Sequence, residues 1–364
     1  MSEQAASGHR LDYVSILSSE ASKNGTATLL LTSPEAQNSP EFARLLSRTA
    51  EFRPSEVQAT LSFSSTLRSQ LSSTLTSLRC AKKNTATLII PNVDEKLVPL
   101  LLLRPFFPRQ SVRGIVMRRP EAEDHSLFAT IKKLLIGLLR RTRVELHTLV
   151  SPFDPSVSRW DLIDPSGLIP LSLDDTSISR ASSDFSTWKN TDARPVVGII
   201  GVLNDRKSVL ETIDALKFGE NRKLFRLLIA GQPSSPDFAN EIRARATGIS
   251  NDDLLMVARG LSDQELELAL NTTDILALMY TNELGSSGLL THGLSRGLRI
   301  VGLRNIAVNR AIDMYKVGAI AETTQPESIS SAITSAKKID PTGASVFPNV
   351  RQLCESQWSQ LANA

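Results

Sequence analysis

The sequence predicts an α/β protein built as two doubly wound domains. Three observations lead there. A length of 364 residues corresponds to about two domains at roughly 100–200 residues each. Short β-rich runs alternate with longer helical stretches, the sequence signature of a parallel sheet covered by helices. Between two such alternations lies Ser172–Asp192, dense in Ser, Thr and Asp and poor in large apolar side chains. The expected division is a first domain over 1–171, a linker over 172–193 and a second domain over 194–345. Residues 346–364 are expected to form a terminal helix that packs back on the first domain.

In the first half, Thr26–Leu31 and Thr85–Ile90 read as strands, each closed by turn residues: Thr32-Ser33-Pro34 after the first, Pro91-Asn92 after the second. Helical stretches at Glu41–Arg48 and Thr66–Leu78 separate them. Val112–Met117 is a further short strand, and Leu127–Arg143 an amphipathic helix. Pro152 to Pro170, with Asp154-Pro155 and Asp164-Pro165, reads as loop.

The second half is cleaner. Pro195–Ile200 is a buried strand closed by Gly201, followed by a helix over Lys207–Phe218. Lys223–Ala230 is a strand ended by Gly231. Ser235–Thr247 is a helix with Pro236 in its first turn, where proline is tolerated. Leu254–Arg259 is a strand. Ser262-Asp-Gln-Glu265 is a capping box that opens a helix to Leu270. Asp274–Met279, Ser287–Arg296 and Arg299–Gly302 continue as strand, helix and strand, and Val350–Leu361 is the terminal helix.

Composition removes several function classes. A chain 41% hydrophobic and 22% charged is neither disordered nor collagenous. Cys80 and Cys354 alone exclude a disulfide framework and suggest no zinc knuckle. The longest apolar runs, such as Leu97–Leu103, fall far short of the ~20 residues that cross a bilayer. The opening Met-Ser-Glu-Gln-Ala-Ala lacks a signal peptide's apolar stretch. A cytoplasmic protein is therefore expected. No nicotinamide-type glycine fingerprint follows the strand at 195–200, and no phosphate-loop Gly-Lys-Ser/Thr occurs, which argues against dehydrogenase and ATPase chemistry. No metal-ligand cluster is visible, so no cofactor is expected. His125 and His147 have no spaced partners and read as structural.

The net charge of +3 is uneven. Residues 101–143 hold ten Lys and Arg against Glu121, Glu123 and Asp124. Within this block, Phe128, Ile131, Leu134, Leu135, Leu138 and Leu139 are expected on one face of a helix. Lys132, Lys133, Arg140, Arg141 and Arg143 are expected mostly on the other. A basic face beside an apolar stripe suits an anionic membrane surface; a core-packing helix with a solvated outer face has the same pattern. Nucleic acid is not indicated, since no helix-turn-helix or aromatic-interleaved basic sheet accompanies the charge.

Ligands of doubly wound sheets bind outside the carboxyl ends of the strands, and three turns lie there. Gly201 opens a tight turn leading to Arg206 and Lys207, which are placed to reach a diphosphate. Cations are mildly unfavourable at a helix start, so their presence there favours a ligand over a solvated face. Glu283, Ser286, Ser287 and Gly288 precede a helix whose free N–H groups form an anion site; an ordinary serine cap reads the same way. Arg259 and Gly260 form a third turn that would flank a nucleobase. Gly231 ends the neighbouring strand. At the other end of the chain, His9 lies near a helix start, between Gly8 and Arg10.

These residues carry a resemblance. The stretches Gly198–Lys207, Leu227–Gly231, Gly260–Leu266, Thr273–Met279 and Ser286–Val301, with Gly318 beyond, resemble the donor half of bacterial GT-B glycosyltransferases of family 4. Gly8-His9-Arg10 with Tyr13, Gly114–Pro120 and Thr148–Pro152 are similar in a weaker way. The resemblance implies two Rossmann-like domains facing across a cleft and a nucleotide diphosphate sugar as donor. It implies no metal. In the family a lysine after the first donor-domain strand contacts the diphosphate, here Lys207. The usual preceding arginine is Val202 here, with Arg206 as substitute. The family's paired glutamates match once, at Glu283; the second position falls on His292, beside Thr291. Ser286-Ser287-Gly288 resembles a serine-glycine variant of that loop. The implied roles are Glu283 orienting donor hydroxyls and His9 polarising an acceptor hydroxyl. Gly201, Arg206, Lys207, Gly231, Arg259, Gly260, Ser286, Ser287, Gly288 and His292 would hold the donor. Gly8, Arg10, Arg118 and Arg119 would lie on the acceptor side.

The function implied is transfer of a sugar, with retention, to a glycan or lipid-linked acceptor in cell-surface polysaccharide or glycolipid synthesis, at the inner face of the plasma membrane. The alternative is a non-catalytic subunit of the same fold that binds an active partner or the membrane surface. A GT-B nucleotide-sugar epimerase is a third reading. Donor sugar, base, acceptor and oligomeric state are not encoded in any single motif.

Overall fold

Residues 10–47, 53–61, 66–117, 127–142, 144–152, 158, 160–165, 181–281, 287–304, 306–340 and 347–363 are described in a computed structural model. The chain divides into two units, one of residues 1–165 with 351–364 and one of residues 166–350.

The first unit begins with α1 (Arg10–Lys23), β1 (Leu29–Thr32), α2 (Pro34–Gln37), α3 (Pro40–Ser47), β2 (Glu56–Ala59), α4 (Leu67–Lys83) and β3 (Leu88–Ile90). It continues with α5 (Leu97–Leu103), β4 (Val112–Val116), α6 (Leu127–Arg141), β5 (Val144–Val150) and β6 (Asp161–Ile163). Among the described residues its strands form two parallel sheets, β1-β2 and β3-β4-β5-β6. Leu11 and Val14 of α1 pack with Leu30, Phe42 and Leu45. A second core joins Leu78 of α4, the strands β3 to β5, Leu100 of α5 and Leu139 of α6.

The helix expected over 127–143 ends at Arg141, and 144–150 is a strand. Its sequence, Val-Glu-Leu-His-Thr-Leu-Val, alternates apolar and polar before turning fully apolar, and its burial alternates likewise. The loop expected at 152–170 contains β6, whose three residues are all buried.

The second unit contains α7 (Ala181–Asn190), β7 (Val196–Ile200), α8 (Val209–Lys217), β8 (Arg226–Ala230), α9 (Pro236–Ala246), β9 (Leu254–Val257) and α10 (Asp263–Thr272). Then come β10 (Ile275–Leu278), α11 (Gly288–Ser295), β11 (Arg299–Leu303), α12 (Ile306–Tyr315), β12 (Gly318–Ala321) and α13 (Pro326–Lys337). The sheet is parallel, in the order β12-β11-β10-β7-β8-β9. β7, β8 and β10 are buried at every residue, as a parallel sheet covered on both faces requires. Their aliphatic side chains pack with α8, α9 and α13. Helix starts follow their local signals. Ser235 accepts from Phe238 N–H with Pro236 at the first position, and Ser262 with Glu265 forms the reciprocal capping box.

The last helix, α14 (Phe347–Asn363), belongs from Arg351 onward to the first unit. There Trp358 Nε1 donates to Ile163 O at 2.8 Å, and the Trp358 ring stacks on Tyr13 at 5.4 Å. The Arg113 guanidinium donates to Leu361 O at 2.8 Å.

The stretch expected as a linker is corrected in its second half: residues 181–190 are α7, held inside the second unit. The cause is Arg226 on β8, whose side chain is fully buried. Its guanidinium stacks over the Trp188 ring at 4.3 Å. It also donates to the carbonyls of Trp188 at 2.6 Å and Lys189 at 2.8 Å. One cation thus bonds carbonyls in the last turn of α7, sharing Trp188 O with Thr191 Oγ1 at 2.8 Å. Replacing Arg226 by Met keeps the bulk but removes the guanidinium donors from both carbonyls. Arg226→Met should destabilise the second unit by about 2–3 kcal/mol, read as a lower denaturant midpoint. An unchanged midpoint would show that α7 is not anchored this way.

Candidate functional site

In the second unit the chain enters the sheet at its centre, winds out through β8 to β9, then crosses back to β10 on the other side of β7. Right-handed crossovers place the helices of the two halves on opposite faces. The loops after β7 and β10 therefore part in opposite directions from adjacent strands. That switch point is where open α/β sheets hold their ligands.

The floor of the site is main chain. Gly201 ends β7 with φ +91°, and Gly231 ends β8 with φ +150°. Both angles are reserved for glycine. A side-chain carbon at Gly231 would lie 1.7 Å from Gly201 O, so the two turns touch through bare backbone. Gly201 N–H donates to Ala230 O at 2.9 Å, and Leu203 N–H to Gln232 O at 2.8 Å. Gly260, after β9, lies against Gln232, whose Oε1 would be 3.6 Å from a carbon added there.

The walls are cross-linked. After Gly201 the chain makes a short 3₁₀ turn, Asp205–Lys207, and then Ser208 with φ +47°. Buried Ser208 Oγ donates to Met279 O at 3.0 Å. Thr281 N–H donates to Arg206 O at 2.9 Å. These two bonds fix the β7 loop to the end of β10. Lys207 Nζ donates to Ile200 O at 2.6 Å and sits 5.9 Å from the Tyr280 ring centroid. Tyr280 Oη is 3.2 Å from Ser287 Oγ, which caps α11 by accepting from Leu290 N–H. A carbon on Gly201 would meet both Lys207 Nζ, at 3.1 Å, and the Leu289 side chain of α11, at 3.2 Å. An ammonium, two glycine turns and a helix N-terminus thus surround one place.

Of the residues singled out in the sequence, the structure brings together Gly201, Lys207, Gly231, Ser287 and Gly288. Arg206 and Gly260 lie on the same sheet edge, both exposed. Glu283 and Ser286 lie outside the described residues. Two others are engaged elsewhere. The Arg259 guanidinium pairs with Glu265 through bonds of 2.5 and 2.8 Å. His292 is buried one turn into α11, its Nδ1 3.2 Å from the Arg296 guanidinium, which pairs with Glu267 of α10. The sequence pattern does not single out Ser208, Tyr280 and Gln232. Each directly follows or closes a strand-end turn, the position that signals a ligand edge.

In the first unit, Gly8, His9, Arg118, Arg119 and Arg143 lie outside the described residues, and Arg10 is the first residue of α1. The helix α6 corrects the expected arrangement of faces. Lys132 points inward, 7% exposed, and pairs with Asp94 at 3.2 Å. It shares the buried face with Ala129, Ile136 and Leu139. Arg140 is also engaged in the fold, donating to Leu146 O at 2.9 Å and lying over the Trp160 ring. Lys133 and Arg141 are exposed, beside Leu127, Phe128, Ile131 and Leu134. The i, i+3, i+7 row that packs inward is Ala129-Lys132-Ile136; Lys132 buries its stem there because Asp94 neutralises its head. Among the described residues, no helix is long and apolar enough to cross a membrane.

No protein-family model and no curated protein sequence matches the chain. Solved structures do. A glycosyltransferase from Rickettsia africae superposes with a TM-score of 0.66 at 12% identity, covering 99% of this chain and 92% of its own. The HepE protein of Anabaena, in complex with UDP and glucose, gives 0.64 at 13% identity over 100% and 96%. Sucrose-phosphate synthase from Thermosynechococcus elongatus gives 0.60 at 12% identity over 99% and 92%. The fold is GT-B. At these identities the likeness establishes architecture alone.

The Arg259–Glu265 pair makes a pH prediction. Bonds from the Arg259 guanidinium, aided by Ser262 N–H, hold the Glu265 carboxyl at about 2, below its ordinary 4.5. The ionised form is favoured in the folded state, so its contribution is complete above about pH 4.5 and fades as pH falls toward 2. With Arg259 largely exposed, the pair is worth about 1 kcal/mol. Glu265→Gln should lower the melting temperature at pH 7, and the gap to the parent should narrow below pH 4.5. A gap independent of pH would exclude the ionic origin.

Proposed function

We propose that this chain is a glycosyltransferase that takes its sugar from a nucleotide diphosphate sugar bound at the carboxyl edge of the second unit. The observation that carries the reading is Lys207 Nζ held beside Gly201, between the β7 turn and the start of α11. Departure of a nucleoside diphosphate leaves negative charge on its oxygens. Lys207, the N–H groups opening α11 and the exposed Arg206 supply positive charge there without a covalent intermediate or a metal ion. Bare backbone at Gly201 and Gly231 lets phosphate oxygens approach closely. The Gly260 turn, next to Gln232, is the place for the base. HepE, bound to UDP and glucose, and Arabidopsis starch synthase IV, bound to ADP and acarbose, support a nucleotide ligand on this architecture. Glu283 and His9 complete the proposal as donor-orienting and acceptor-polarising groups, with retention and a glycan or lipid-linked acceptor.

Calorimetry with UDP, followed by a panel of nucleotide sugars, tests the donor site. The parent should bind, and Lys207→Met should lower kcat/KM about 10²–10³-fold, with activity unaffected by chelators. Equal turnover in parent and variant would remove Lys207 from the site. Binding of no nucleotide would favour the non-catalytic subunit instead.

Peripheral placement at an anionic membrane is part of the same proposal. It rests on the outward face of α6, where Phe128 and Leu127 are each 77% exposed near Lys133 and Arg141. On α5 and the 3₁₀ turn after it, Leu102 and Phe106 are exposed as well. Vesicles of phosphatidylglycerol should co-sediment the protein, and Phe128→Ser with Ile131→Ser should release it. Equal sedimentation with neutral vesicles, or of the variant, would count against an anionic apolar docking face.

A further inference from the structure

One buried side chain touches both positive elements of the donor edge. Tyr280 follows β10, and its neighbours in the chain are tied to the β7 loop. Ser208 Oγ donates to Met279 O at 3.0 Å, and Thr281 N–H donates to Arg206 O at 2.9 Å. The Tyr280 side chain, 6% exposed, therefore leaves a backbone that is held on either side. Its ring centroid is 5.9 Å from Lys207 Nζ, within the ~6 Å reach of a cation–π contact. Its hydroxyl is 3.2 Å from Ser287 Oγ; either oxygen can donate, and the link exists in both cases. A buried tyrosine hydroxyl needs such a partner. A lysine side chain loses much rotamer entropy when it is held. Lys207 is held at Ile200 O, 2.6 Å away, and against the flat Tyr280 ring. Ser287 accepts from Leu290 N–H. That cap leaves the first two N–H groups of α11, those of Gly288 and Leu289, for a ligand.

We propose that Tyr280 is a positioning residue of the donor site: it sets the Lys207 ammonium and the first turn of α11 as one preformed clamp for the donor's diphosphate. The inference rests on the donor reading above and adds the residue that keeps its two anion-binding elements in register. Tyr280 acts through Lys207 by its ring and through Ser287 by its hydroxyl. Each contact removes motion from a group that would otherwise be ordered only when the diphosphate binds, so its loss is read as weaker binding. The two contacts are separable by substitution. Phenylalanine at this position keeps the ring against the ammonium and gives up the hydroxyl. Leucine gives up both.

Calorimetry of the full chain with UDP, ADP and GDP finds the parent's tightest nucleoside diphosphate, and the variants are titrated with it. Tyr280→Phe should weaken binding about threefold, and should add nothing in a Ser287→Ala background. Tyr280→Leu should weaken binding about tenfold, yet Tyr280→Leu and Tyr280→Phe should bind alike in a Lys207→Met background. Such non-additivity marks action through a shared group. Melting temperatures read alongside show which variants keep the parent's fold, and Tyr280→Phe, nearly the same shape, carries the test if Tyr280→Leu does not. Three results would overturn the inference. Binding by both variants as tight as the parent's would mean that Lys207 and α11 are placed without Tyr280, and would leave the donor site standing. Losses of equal size on every background would mark a general loosening of the fold. A parent that binds none of the three nucleotides would remove the donor site itself, and the clamp with it.

Discussion

The contact of Gly201 with Gly231 is the constraint on which the second unit's site depends. Two adjacent parallel strands deliver their loops at the same edge, about 4.8 Å apart. Any side chain there would fill the space between them: a carbon on Gly231 would lie 1.7 Å from Gly201 O. Only bare backbone lets the β7 loop turn sharply enough for Lys207 to fold back onto Ile200 O. The ammonium then comes to rest where β7 and β10 send their chains to opposite faces of the sheet. A strand order with a reversal at its centre creates the crevice; two glycines keep it open.

The rest of that edge is held by bonds between loops distant in sequence. Ser208 reaches Met279, Thr281 reaches Arg206, and Tyr280 reaches Ser287. Ser208 adopts a left-handed backbone at φ +47°, a strained conformation for a non-glycine residue that is stabilised by its buried bond. A preorganised edge of this kind binds an anion with little loop entropy to lose. The same logic holds at the start of β8, where buried Arg226 ties α7 to the sheet through the carbonyls of Trp188, Lys189 and Asp192.

The first unit distributes its polar residues differently. Lys132, Arg104 and Arg113 are all buried and all partnered, Lys132 by Asp94, Arg104 by the carbonyls of Phe107 and Gln110, Arg113 by Glu145 and α14. With Arg140, which bonds Leu146 O, at least four of the ten cations in the basic block are therefore structural. The inward turn of Lys132 leaves an outer face on α6 where Leu127, Phe128, Ile131 and Leu134 are exposed beside Lys133 and Arg141. Cation counting reads such a block as a uniform surface; packing shows that its charges serve two purposes.

The alternation of apolar runs with capped helices determined the α/β class, the order of elements through the second unit and the turns at its strand ends. These are local properties: a fully apolar run of four to six residues closed by glycine has few other uses, and Ser262 with Glu265 caps a helix wherever it sits. Gly201, Lys207 and Ser287 are legible as residues of the strand-end turns for that reason. What the tertiary structure alone decided is which side chains meet. Whether Lys132 faces water or Asp94 depends on a neighbour thirty-eight positions away, and Ala181–Asn190 looks like a linker until Arg226 is seen to accept it. The sequence places Arg259 in a turn that would flank a base; its guanidinium pairs with Glu265, six residues on, whose carboxylate the capping box turns back. Pairings across strands and layers have no imprint in local composition, because each half of the pair is stable in water until the chain brings them together.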